Sequence, residues 1–375
     1  MKVLAGLALA MSVLFVVVVL AAADVINLPG SWRDKLGFSS ETPNPPCRIG
    51  LYRNNPSRPP APPGHWRPEP ETPRNQIEAS GIGIGKTIYV IGGTPPGNLH
   101  RLVAYDTATR KFSEPTQLPT GLNHAEAATH DGKLYVAGGY LNGENPTGNF
   151  WQYDPATNEW TKLPSMPQPT AAGAVVADGD KLYVAGGAPQ TFNASGPIAP
   201  YADLQIYDFE TEQWSFGPDM PNPRHHVGGA ALGGKIYVAG GRGEEDHSLP
   251  TFERYNPAAD EWESLPELPM GVASPGLVAV DGKLVIVGGE DQKDWEEGKG
   301  WVTPSAWEFD PKTNRWSRLP NMKHERRGGG VAAVGNRVYA IGGSYCPGLK
   351  PNGPVGTHTV ESISIPNAKT TPAPN

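Results

Sequence analysis

Three histidines, two glutamates and three arginines of this chain can do chemistry once they are brought together: His124, His225, His226, Glu78, Glu126, Arg224, Arg326 and Arg327. Imidazole and carboxylate are the working groups of general acid–base catalysis, and guanidinium grips a carboxylate through two parallel hydrogen bonds. Together they suit an anionic or sugar-like ligand. They form no local motif, so their meaning depends on a fold that collects them. Trp295 and Trp301, with Glu296, Glu297 and Lys299 between them, add a segment suited to stacking on a sugar or to protein contact. Cys47 and Cys346 have no Cys or His partners at zinc-site spacing, and no cofactor or metal is expected. Asn193-Ala194-Ser195 is a glycosylation sequon that matters where the host glycosylates.

The elements that must position these residues repeat. Gly-Gly pairs stand at 92/93, 138/139, 186/187, 240/241, 288/289 and 342/343, with successive spacings of 46, 48, 54, 48 and 54 residues. Each pair ends an apolar strand such as Lys133-Leu134-Tyr135-Val136-Ala137, with Tyr89, Tyr135, Tyr183, Tyr237, Val285 or Tyr339 three residues ahead. Further on, Tyr105, Tyr153, Tyr207, Tyr255 and Phe309, each followed by Asp or Asn, precede Phe112, Trp160, Trp214, Trp262 and Trp316 by an invariant seven residues. Turn chemistry such as Asp154-Pro155-Ala156-Thr157-Asn158 joins those two strands. Each repeat is thus predicted to be a four-stranded sheet, and sheets repeated about an axis make an all-β propeller, here six-bladed. Tyr and Trp fill the space between blades, and Gly-Gly allows a positive φ or close backbone approach.

Counting back from the Tyr of each repeat places Glu78, His124, Ala172, His226, Ser274 and Gly328 at equivalent positions where the inner strands begin. They are expected to ring one mouth of the channel, with Arg224, His225, Arg326 and Arg327 just before them and Glu126 one pleat deeper. His124 and His226 fall in blades two and four, too far apart on this reading to share a metal with Glu78. The sixth repeat lacks its Trp strand. His65-Trp66-Arg67-Pro68-Glu69-Pro70 resembles the strand missing there, so an N-terminal outer strand is expected to complete the last blade and remove an open edge. A disulfide between Cys47 and Cys346 would fit that closure in an oxidising compartment.

Val3–Leu20 is an uncharged apolar run after Lys2, followed by Ala21-Ala22-Ala23. It reads as a secretory signal cut after Ala23, and its length also suits an uncleaved anchor. The chain is accordingly expected to be secreted or extracytoplasmic, touching membrane only through residues 3–23. The expected domains are 1–23 signal or anchor, 24–63 Pro-rich arm, 64–366 propeller and 367–375 disordered tail. A formal charge of −7 without a basic run gives no footprint for nucleic acid. With no heptads or amphipathic helix to drive assembly, a monomer is expected.

Over about residues 64–366 the combined Gly-Gly, Tyr-Asp and Trp pattern resembles the kelch-repeat propellers. The resemblance implies a loop face, built from the loops before each inner strand and after each Gly-Gly, that contacts a protein or glycan partner. Kelch propellers also include enzymes, and the six-repeat, exported layout is similar to that of N-acetylneuraminate epimerases. An isomerase or mutarotase of that kind is the alternative, with Glu78, Glu126, His124 and His226 as acid–base candidates. Galactose oxidase is similar in its repeats, but its seven blades and copper site with a Tyr–Cys crosslink are not matched. The iron pattern Glu-x3-Asp-x3-His of the plant specifier proteins begins at Glu290 and Asp294 and is broken by Gly298.

Overall fold

The computed structural model describes residue 62 and residues 64–74, 76–94, 100–142, 145–189, 199–244, 247–291, 300–345 and 356–366. Cys47, Cys346, Asn193 and Trp295 lie outside the described residues, as do the N-terminal segment and the tail. Every regular element among the described residues is a strand. They form six antiparallel sheets of four strands, alongside two smaller ribbons. Blade one runs Ser80–Ile84, Thr87–Ile91, Leu102–Asp106, Lys111–Ser113, and blade two runs Glu126–His130, Lys133–Ala137, Phe150–Asp154, Glu159–Lys162. Blades three, four and five repeat this order, their inner strands being Ala174–Asp178, Gly228–Ala231 and Gly276–Val280.

Blade six is built from both ends of the described chain. Gly330–Val334, Arg337–Ile341 and Val360–Ser364 are completed by Arg67–Glu69, with Arg67 opposite Ser362 and Glu69 opposite Val360. The six inner strands neighbour one another in a closed cycle, blade six against blade one. The closing segment also repeats the side-chain chemistry of the strands it imitates. Trp214, Trp262 and Trp316 each donate an indole N–H to a proline carbonyl at the end of the preceding blade, and Trp66 donates to Pro320 O at 2.9 Å.

The core lies between blades. The tyrosine of a Gly-Gly strand meets the Tyr-Asp tyrosine of the neighbouring blade edge-on or tilted, as in Tyr89–Tyr153 (5.9 Å), Tyr183–Tyr255 (5.9 Å) and Tyr339–Tyr105 (6.1 Å). Between blades five and six, where Val285 replaces the tyrosine, Trp66, Val331, Val338 and Ile363 fill the gap instead. The Asp or Asn that ends this strand closes the turn after it: Asp208 Oδ1 accepts from the backbone N–H groups of Glu210 and Thr211, and Asn256 Oδ1 accepts from that of Ala258. The first glycine of each pair must be glycine for two reasons. Gly138 has φ 67°, and a Cβ there would fall 2.5 Å from Thr170 O.

Candidate functional site

One end of the channel is a hydrogen-bonded ring of main chain. Glu78, His124, Ala172, His226, Ser274 and Gly328, one from each blade, all have left-handed backbone, with φ between 50° and 57°. The N–H of His124 donates to Glu78 O, Ala172 to His124 O, His226 to Ala172 O, Ser274 to His226 O and Gly328 to Ser274 O; Ala79 closes the circuit onto Gly328 O. Five of the six are not glycine, and a left-handed L-residue costs roughly 1–2 kcal/mol. The ring of bonds holds that strain at the mouth. Beneath it the channel encloses about 290 Å³, lined by the ring and by the glycine-, alanine- and valine-rich inner strands.

A charged network is built on the ring and on the residues just after the Gly-Gly pairs. The residue just before the ring member pairs through its backbone with the second set in three blades, His225 with Arg242, Ala273 with Glu290 and Arg327 with Ser344. Glu78 accepts from Arg327 through Oε1, while its Oε2 lies 3.2 Å from His124 Nε2. Arg327 Nε reaches Glu290 Oε2 at 3.1 Å, and Arg242 pairs with Glu290 Oε1. The His124 and His226 rings meet edge-on at 4.9 Å, His225 Nδ1 contacts His226 Nδ1, and Tyr140 packs edge-on against His124 at 5.4 Å. All of these side chains are buried.

Burial decides the protonation of the imidazoles. It holds His124 and His225 down to about 3, aided by the Arg242 charge, and keeps His226 well below the usual histidine range for the same reasons. The three rings are neutral at physiological pH. Burial also lowers Arg327 to about 10, still protonated. Deeper in the channel wall, burial pushes the Glu126 carboxyl up to about 7, against the opposing pull of a hydrogen bond from Ser80.

The structure brings Glu78, His124, His225, His226, Ser274 and Arg327 together and places Glu126 below them in the channel wall. Two residues grouped with the mouth at the sequence level turn away from it. Arg224 enters the interior of blade four, donating to Gly240 O (2.8 Å) and Glu253 (2.6 Å), and Arg326 enters blade six, donating to Gly342 O (2.7 Å) and Glu361 (2.9 Å). Gln76 and Thr170 hold Gly92 O and Gly186 O from the same place in blades one and three, so this position ties down the Gly-Gly turn. Trp301 sits half-buried in the short strand Trp301–Val302 beside Glu290–Asp291 and packs on the core between blades four and five.

The expectation that blades two and four stand too far apart for His124 and His226 to meet is corrected by this geometry. The ring is narrow enough that side chains from alternate members converge, and one ligand atom from each of Glu78, His124 and His226 lies within 4.8 Å of the others. Arg242, Glu290 and Tyr140 are the site residues that sequence reasoning did not assign to the mouth. They follow the Gly-Gly pairs directly, in a column otherwise occupied by Thr94, Ala188 and Ser344, and the same register count applied there exposes them.

Six four-stranded sheets carrying the Gly-Gly, Tyr-Asp and Trp repeat define a kelch-type β-propeller. The Attractin/LZTR1 beta-propeller model matches residues 88–346, and the chain belongs to that family. It is similar to Kelch-like protein terF of Aspergillus terreus, 29% identical over 205 residues, which cover 48% of this chain and 43% of that protein. It is also similar to Kelch-like protein 8 of Mus musculus, 34% identical over 58 residues covering 16% and 9% of the two chains. The match thus spans less than half the length of these relatives. Among solved structures, that of YjhT superposes with a TM-score of 0.67 at 19% identity, over 80% of this chain and 98% of that one, a likeness of fold.

Proposed function

We propose that the protein is a binding module working outside the cytoplasm, holding a protein or glycan partner on the loop face around the channel mouth. The observation that carries this reading is the concentration of charged and histidine side chains from five blades at that one rim. The segments after the Gly-Gly pairs differ in length from blade to blade, which is how a rigid scaffold presents a recognition surface. The apolar N-terminal run supports the extracytoplasmic placement. The test is recovery of the protein from culture medium, followed by partner co-purification and a glycan screen. Charge reversal at exposed Glu244, beside the mouth, is expected to weaken the captured partner at least about tenfold, while reversal at exposed Lys86 or Asp131 on the opposite turns leaves it unchanged. Equal effects from both faces would overturn the reading.

A second reading, a sialic-acid epimerase or mutarotase-like isomerase, rests on Glu126. A carboxyl poised near neutrality in a channel wall suits proton transfer to or from a sugar. Incubation with N-acetylneuraminate or N-acetylmannosamine, followed by anomeric exchange in NMR, tests it; equal rates for wild type and Glu126→Gln would remove the reading.

A further inference from the structure

We propose that Glu78, His124 and His226 bind a divalent first-row transition metal ion at the loop-face mouth of the channel. The three come from blades one, two and four, and each presents one ligand atom within 4.8 Å of the other two. Glu78 Oε2 and His124 Nε2 are 3.2 Å apart. Metal bonds of about 2.0–2.1 Å in a tetrahedron set neighbouring ligand atoms about 3.3 Å apart. That edge already has the spacing a metal imposes, and the His226 donor lies within 4.8 Å of both. Two imidazoles and a carboxylate suit zinc, iron, copper or nickel.

The surroundings orient these donors. Arg327 holds Glu78 by Oε1, which leaves Oε2 toward His124. His225 contacts Nδ1 of His226, and Tyr140 packs against the edge of His124. Partners of this kind fix ring orientation around metals. The main-chain ring sets the spacing further back, since His124 bonds directly to Glu78 and a single residue, Ala172, separates His124 from His226. The charges of Arg242 and Arg327 are offset by Glu78 and Glu290. A divalent ion therefore adds surplus positive charge at the channel lining, and water or an anion from the channel would complete its coordination.

The inference is independent of which partner the loop face binds. Its test uses the full-length protein, stripped with chelator and desalted, then titrated separately with Zn2+ and Co2+. One ion per chain is expected, with a rise in melting temperature. His124→Asn and His226→Asn keep a residue that tolerates left-handed backbone and should each weaken Zn2+ binding at least about tenfold, whereas Asp131→Asn, on the exposed opposite turns, should bind as wild type does. No stoichiometric uptake by the wild type, or undiminished uptake by both folded Asn variants, overturns the proposal. Should those variants fail to fold, the Co2+ absorption spectrum of the wild type decides: nitrogen and oxygen ligation supports the site, and a thiolate charge-transfer band places the ion on cysteine and overturns it. Partner capture repeated with and without chelator reports on the loop-face reading separately.

Discussion

Glu126 faces a channel wall made mostly of glycine, alanine and valine, and its raised carboxyl ties fold stability to pH. The folded state holds that proton more tightly than the unfolded chain does, since the group titrates near 7 rather than at its usual 4.5. Its stabilising contribution is therefore complete below about 4.5 and is lost as pH rises through about 7. Urea unfolding across pH 4–8 should show Glu126→Gln losing this slope, worth on the order of 1–3 kcal/mol. Gly328 makes a second prediction. A Cβ there would fall 2.5 Å from Glu78 Oε2, on a backbone of φ 55°, so glycine at the sixth ring position leaves room for the carboxylate. Gly328→Ala should destabilise the fold by about 1–3 kcal/mol in denaturant titrations. The ring positions were legible in the sequence because the Tyr-Gly-Gly register is regular. The direction of each side chain was not, since adjacent residues such as Arg326 and Arg327 differ by one pleat and enter opposite environments.

Among the elements, blades four and six each carry an ion pair sealed inside the sheet edge, Arg224–Glu253 and Arg326–Glu361. Removing one partner leaves an uncompensated buried charge, a loss of about 3–5 kcal/mol. Glu253→Ala should show it as a fall in melting temperature, and replacing both Arg224 and Glu253 by apolar residues of similar volume should recover much of it. A fall no larger for the single change than for the double one would mean the pair is solvated. These partners were hidden from sequence reasoning because Glu253 and Glu361 sit in the third strand, some thirty residues from their arginines, with no fixed spacing to mark them. The blades themselves were legible because three independent markers recur in one order.

For the whole molecule, closure was readable from Trp66 and its flanking prolines, and the indole bond to Pro320 shows that the match extends to side-chain contacts. The narrowness of the mouth was not, because it arises from six consecutive main-chain bonds between blades that no local pattern encodes. Trp66→Ala should cost about 3–5 kcal/mol and increase aggregation of the partly opened ring, measured by light scattering during thermal unfolding. Ser362 donates to Glu69 across 293 residues of chain. At roughly 5–20 residues per second of synthesis, the strand made first waits on the order of 15–60 s for the strand it joins. During translation, then, Arg67–Glu69 has no mate in its own sheet until Val360–Ser364 has been made.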